Sequence, residues 1–267
     1  MDSKLLEIDT RSPFNTYKLD CRRNLARKLA LKFKSKPVIN FIRQIGGLRN
    51  CKIADVEVYG TKMRVYPGMN RSDKIMLGMP HTFDANERRL LAEQLAKTPN
   101  PSFIDIGANI GAYSAFASGL GLNVKTVAIE ADPEMFARLN FNLGDKVTKL
   151  NIAVADKEGV LPFYLNDHNR GENSLVASNG RKIEVPAKTL KQILDEQGIE
   201  RPTAMKIDVE GMETVILKAF FDSVDSSRYP QLIISEHIHN NIEGSEVIKT
   251  AYKVVFSTKL NNVYVLI

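Results

Sequence analysis

Cysteine is scarce in this 267-residue chain: Cys21 and Cys51 are the only two, and their spacing suits neither a metal site nor a disulfide framework. That excludes a disulfide-stapled mini-protein and makes a reducing compartment the expectation. Long apolar runs are missing as well, since no stretch approaches the roughly eighteen residues of a membrane span. The first twenty residues alternate charge with apolarity and lack the continuous apolar centre of a secretory signal, so a cytoplasmic location is expected. No internal repeat and no low-complexity tract occurs, which excludes solenoid, collagen-like and disordered readings. Two phosphate-binding signatures are also absent: there is no G-x-G-x-x-G and no Gly-Lys-Ser/Thr.

What is present is an average soluble composition, 43% hydrophobic and 25% charged, long enough to bury a real core. The unusual quantity is a formal charge of +6. It is local: from Lys18 to Lys36 there are eight Lys or Arg against Asp20 alone, a net of +7, which leaves the rest of the chain at −1. In this stretch Cys21, Leu25, Leu29 and Phe33 recur every four residues among basic side chains, the pattern of a basic amphipathic helix that Pro37 stops or kinks. Two readings stay open for it: a helix docking its Leu stripe on the protein body, or peripheral contact of residues 18–36 with a membrane or anionic partner. Specific nucleic-acid binding is not expected, because aromatics are few and no nucleic-acid motif is present.

The remainder divides into residues 51–98, which read as a hairpin and a helix, and 99–267, which read as the core domain after a leader of 1–50. Val56, Val58 and Tyr59 face Met63, Val65 and Tyr66 across a Gly60-Thr61 turn, and a helix runs from Asp84 to Ala96. Beyond Pro101 short apolar strands alternate with helices, the texture of an α/β domain on a mainly parallel sheet. Strands are expected at 102–106, 124–130, 147–154, 204–209 and 232–237, with an inserted hairpin at 161–165 and 183–185 and a closing antiparallel hairpin at 252–257 and 263–267.

The stretch Phe103 to Gly111 carries the chemistry. A strand ends at Ile106 and a helix starts past Gly111, so Gly107 and Gly111 lie in a turn where a ligand can approach the backbone. Asp105 at its entry would repel a pyrophosphate and welcome a cation. Glu130 ends the next strand, where nucleoside-binding α/β folds place a carboxylate for the ribose hydroxyls. Two acids so placed suit a nucleoside with a positively charged tail, such as S-adenosylmethionine.

FIDIGANIGAYS, AIEADPEMFARLNFN, LNIAVADKEGVLPFY and AMKIDVEGMETVIL, in this order, resemble the FkbM-type methyltransferases over roughly residues 80 to 240, most specifically at Lys206 to Gly211. The resemblance implies a class I, Rossmann-like fold with a mainly parallel seven-stranded sheet, dependence on S-adenosylmethionine, and O-methylation of a sugar, glycan or secondary metabolite. It also implies that Asp105, Gly107, Asn109 and Gly111 line the methionine portion and Glu130 the ribose, with Ala131 and Asp132 flanking the adenosine and Ala153 close to adenine. The chain reads Thr189-Leu190-Lys191 where that family often has Thr-Leu-Asp.

Methyl transfer from a sulfonium needs positioning and, for a hydroxyl acceptor, removal of a proton. In a parallel sheet those groups sit past the carboxyl ends of the strands. Asp208 is the first candidate, with Glu210 and His237 behind it, and His239 shares a strand face with His237 by alternation. Asp208, Glu210, His237 and His239 could also assemble a divalent metal site, a reading that their spacing does not favour. His168, Arg170, Glu172 and Ser174 belong to a polar insertion that would border an acceptor pocket, while His81 lies in a loop. Rival readings are a catalytically silent methyltransferase-like binding module and a nicotinamide-dependent oxidoreductase, the latter opposed by the glycine spacing and Asp105.

Overall fold

The computed structural model describes residues 8–165, 181–209, 211–236 and 245–267. The chain opens with two helices, α1 (Cys21–Ala30) and α2 (Lys36–Ile45), and a hairpin, β1 (Ala54–Val58) and β2 (Thr61–Val65). Helices α3 (Arg71–Gly78) and α4 (Ala85–Lys97) lead into the core. Strand β3 (Ser102–Ile106) passes to α5 (Ala112–Ser118), β4 (Lys125–Ile129) to α6 (Pro133–Asn142), and β5 (Val147–Leu150) follows. Next come β6 (Ala153–Ala155), β7 (Gly159–Leu165), β8 (Arg181–Thr189) and α7 (Leu190–Glu196). The chain closes with β9 (Ala204–Ile207), α8 (Glu213–Ser223), β10 (Leu232–Glu236), α9 (Glu246–Ala251), β11 (Tyr252–Ser257) and β12 (Asn261–Leu266).

Seven strands form the central sheet in the order β11-β12-β10-β9-β3-β4-β5. The five strands from β10 to β5 run parallel, and β12 inserts antiparallel between β10 and β11. Parallel strands covered by helices on both faces run largely apolar, and β3, β9 and most of β10 are buried at every residue, the charged Asp105 and Lys206 included. This is the Rossmann-like class I architecture. The strand order reverses at β3 and β9, so the crevice beyond their carboxyl ends is the ligand position that topology favours.

Three sequence-based expectations change. The strand expected at 147–154 breaks, with β5 staying in the main sheet while β6 joins β7 and β8 in a separate three-stranded sheet. Asn151 stands at the break because its side-chain amide donates to the carbonyls of Glu130 (2.8 Å) and Ala131 (3.3 Å) instead of continuing the ladder. Pro37 does not end the basic helix; α1 stops at Ala30, and Pro37 lies in the first turn of α2, where its missing N–H costs nothing. The Leu stripe of α1 is not what docks. Ala26 and Ala30 face the body, whereas Leu25, Leu29 and Phe33 are exposed.

The preceding segments pack tightly onto the core. Leu91 and Leu95 of α4 cluster with Phe103, Tyr113 and Ile234. Arg64 of β2 is buried in a two-pronged pair with Asp55, its Nε 2.7 Å from Oδ1, and its backbone N–H donates to Asn142 of α6. Arg138 of α6 in turn pairs with the buried Asp73 of α3. Lys191, at the position that departs from the family pattern, makes an exposed pair with Asp195, while Thr189 and Gln192 form the capping box of α7.

Candidate active site

The turn from β3 to α5 holds three consecutive odd-numbered residues in left-handed backbone: Gly107 (φ +74°), Asn109 (φ +52°) and Gly111 (φ +87°). A Cβ at Gly107 would stand 1.8 Å from the backbone oxygen of Asp208, so no larger residue fits there. The glycine is therefore demanded from the protein side, by the exit of β9 crossing over the turn, where the Asp208 N–H donates to the Ile106 carbonyl at 3.1 Å. A Cβ at Gly111 would meet Leu143 at 2.9 Å. Asn109 is locked by its own geometry: its Oδ1 accepts from the Ile110 N–H (2.8 Å) and from Asn70 Nδ2 (3.3 Å). Asn70 caps α3, accepting from the Asp73 N–H at 2.8 Å, and so ties the turn to that helix.

Glu130 follows β4 directly and bends its carboxylate over this turn. One oxygen accepts from the Asn109 N–H at 2.7 Å, the other from the Asp132 N–H at 2.9 Å. Burial raises its pKa to about 7 against those two hydrogen bonds, with the charge of Asp132 adding to the rise. Asp132 is itself the cap of α6, accepting from the Glu134 N–H at 2.8 Å, with Pro133 at the start of the helix. Ala131 packs against the cluster of Ala153, Ala155, Phe163 and Val185, so the structure brings Ala131 and Ala153 together beside Glu130.

On the other side of the turn lies a charged cluster in which Asp105 and Asp208, both expected from the sequence, are joined by Lys206, whose role was not. Lys206 is the register partner of Asp105 across β9 and β3, and alternation puts Asp208 on its side of the sheet. Lys206 Nζ lies 2.5 Å from Asp208 Oδ2 and 5.2 Å above the Tyr113 ring. Burial lowers the Lys206 pKa, but the charges of Asp208 and Asp105 outweigh it and leave the ammonium more firmly protonated than an ordinary lysine. It is a fixed cation rather than a base. Asp105 is buried, and its Oδ2 accepts from the Ser114 N–H (3.0 Å) and Oγ–H (2.7 Å). Burial pushes its carboxyl up, opposed by Lys206 and the Ser114 bonds. Tyr113 donates to Asp84 at 3.0 Å, its hydroxyl held well above its usual pKa by burial and then by Asp84 and Glu87.

Asp208 differs from Asp105 in access: a third of its side chain is exposed beyond the end of β9. Glu210, His237, His239, His168, Arg170, Glu172 and Ser174 lie outside the described residues. Among the described residues no group of three His, Cys, Asp or Glu side chains is arranged to hold a metal ion. His81 sits away from the turn, its Nε2 2.7 Å from the Phe33 carbonyl. Ser235 is buried and bonds the Glu236 carbonyl at 3.1 Å.

The donor set fits S-adenosylmethionine. Each Glu130 oxygen accepts one backbone N–H and retains a second acceptor site, enough for a ribose diol. Opposite stands Asp208, a partly open acid suited to a cationic tail and hostile to a pyrophosphate, with Lys206 already engaged beside it and Asp105 adding negative charge from its buried place behind. A signal for Lys206 was in the sequence: a lysine inside an otherwise apolar buried strand, two residues before an acid, needs a paired charge. Nothing in the sequence pointed to Asn70, whose partner is thirty-nine residues away.

Comparison with known proteins places the chain in a family. The family model for the methyltransferase FkbM domain matches residues 105–254, from Asp105 into β11. The hexuronic acid methyltransferase AglP of Haloferax volcanii is 26% identical over 226 residues, covering 80% of this chain and 85% of that one. Methyltransferase sdnD of Sordaria araneosa is 27% identical over 155 residues, covering 45% of this chain and 60% of its own length. The 2-O-methyltransferase NoeI of Sinorhizobium fredii is 23% identical, with coverages of 51% and 63%. With more than half its length in that match, the chain belongs to the FkbM family of S-adenosylmethionine-dependent methyltransferases.

Proposed function

We propose that this chain transfers the methyl group of S-adenosylmethionine to a hydroxyl oxygen on a sugar, glycan or other small hydroxylated metabolite. The observation that carries the reading is the pairing of two carboxylates across one glycine turn: Glu130, buried and gripping the turn, and Asp208, partly open at the end of the neighbouring strand. When bound, the nucleoside supplies an electrophilic methyl on a sulfonium whose departure needs little assistance.

In this reading Glu130 accepts the ribose hydroxyls, while Asp105, Gly107, Asn109 and Gly111 shape the surface for the methionine portion. Ala131, Asp132 and Ala153 border the adenosine. Asp208 orients the acceptor hydroxyl and takes its proton, with Lys206 holding the carboxylate in place, and Glu210 and His237 are the further candidates for that proton. The acceptor class draws support from AglP, named for a hexuronic acid, and NoeI, named for a 2-O position.

The test is turnover of labelled S-adenosylmethionine against a panel of uronic acids, deoxyhexoses and their glycosides, read by mass spectrometry. Methylation on oxygen is expected with at least one acceptor. On that acceptor Asp208→Asn should lower kcat about 10²-fold or more, the usual worth of a positioned base. An Asp208→Asn protein with full turnover would remove Asp208 from the chemistry.

A further inference from the structure

The helical pair α1 and α2 presents an apolar face that the fold does not use. Of the twelve large hydrophobic residues exposed among the described residues, six lie between positions 25 and 45: Leu25 (59%), Leu29, Phe33, Val38, Phe41 (63%) and Ile45 (53%). Scattered exposed apolar residues need no explanation, but half of them gathered on two consecutive helices and the short connection that carries Phe33 do. Leu25 and Leu29 are one turn apart on α1, and Val38, Phe41 and Ile45 follow the i, i+3, i+7 spacing of one face of α2. The two faces adjoin. Arg22, one turn before Leu25 and Ala26, bonds the Ile45 carbonyl with Nε at 3.1 Å, and a Cβ on Gly46 would stand 2.0 Å from that of Ala26.

The pair is held to the body by other groups, so these residues are not waiting to be buried by it. Ala26, Ala30 and Ile39 supply the packing. Arg27 donates to the carbonyls of Leu77 (2.9 Å) and Glu57 (2.7 Å), Arg23 to that of Gly47 (3.2 Å), and His81 fixes the Phe33 carbonyl. Around the apolar face stand exposed Lys18, Arg22, Lys28, Lys32, Lys34 and Lys36, with Asp20 the only acid from 18 to 36.

We infer that α1 and α2 dock this protein on an anionic lipid surface, the apolar residues entering the acyl boundary and the lysines meeting the headgroups. Charge selects the occupant. A second copy placed face to face would bring two strongly basic surfaces together, and a nucleic acid would leave the six apolar residues wet. An anionic bilayer satisfies both halves, as it does for other interfacial helices with a basic rim. The inference goes beyond the methyl-transfer reading and does not depend on it.

Flotation of the full chain with vesicles of phosphatidylcholine alone, or with phosphatidylglycerol added, tests it. Partition into the anionic vesicles and little into the neutral ones is expected. The doubles Leu25→Ser/Phe41→Ser and Lys28→Glu/Lys32→Glu should each reduce partition on the order of tenfold. Because all four positions are exposed, both variants should melt with the wild type. The inference fails if the wild type ignores anionic vesicles, or if the apolar double partitions as before. It fails equally if sedimentation shows a wild-type dimer that the apolar double converts to monomer.

Discussion

Lys206 Nζ stands 2.5 Å from Asp208 Oδ2, at the point where β9 leaves the sheet and its Asp208 carbonyl covers Gly107. One buried cation thus pairs with the open carboxylate of Asp208 and lies in the field of the closed carboxylate of Asp105. Removing one partner of a buried ion pair is commonly worth about 3–5 kcal/mol, less here because a third of Asp208 faces solvent.

Lys206→Met should lower the melting temperature and move the acid limb of the kcat/KM profile to higher pH, because both carboxylates lose the charge that favours ionisation. Adding Asp105→Asn should restore stability and leave the limb displaced. The measurement is the pH profile of each variant; an unmoved limb in Lys206→Met would show that Asp208 is not the group titrating there.

Glu130 makes nucleoside affinity depend on pH. Its native pKa of about 7 lies above the ordinary 4.5 of an unfolded glutamate, so its contribution to stability is present below 4.5 and lost as pH rises through about 7. Affinity should run the opposite way. Ribose hydroxyls donate to the ionised form, so S-adenosylhomocysteine should bind about tenfold more weakly per pH unit below 7 and reach a plateau above it. Calorimetry from pH 5.5 to 8.5 checks the slope, and a flat profile would contradict the assignment.

The Asn70 bridge separates capping from loop support. Asn70→Ser keeps an oxygen for the Asp73 N–H but loses the donor to Asn109, so stability should hold while nucleoside affinity falls several-fold. Asn70→Ala should lose both, including about 1 kcal/mol of stability for the cap. Equal affinity in wild type and Asn70→Ser would mean that Asn109 holds the turn unaided.

The α/β class, the glycine turn and Glu130 were legible because each is local: a strand, a turn and a strand-end acid lie within thirty residues of one another. The inserted and closing hairpins were legible for the same reason. Lys206 was legible only in part: a lysine in an apolar strand announces a paired charge, but its place beside Asp105 comes from the register of β9 against β3, which no periodicity encodes. The break at Asn151 depended on the carbonyls of Glu130 and Ala131 just past β4, and the exposure of Leu25, Leu29 and Phe33 on which flank of α1 met the body. An amphipathic pattern identifies an apolar face without saying what covers it.

The central claim is that this turn and Glu130 form a nucleoside site. Isothermal titration of S-adenosylhomocysteine into wild-type protein and Glu130→Ala at pH 8 tests it most directly. Saturable one-to-one binding by the wild type is expected and, in a variant whose fold is verified by circular dichroism, affinity weaker by about tenfold or more, the worth of a charged hydrogen-bond acceptor. No heat from the wild type, or an unchanged affinity in Glu130→Ala, would contradict it.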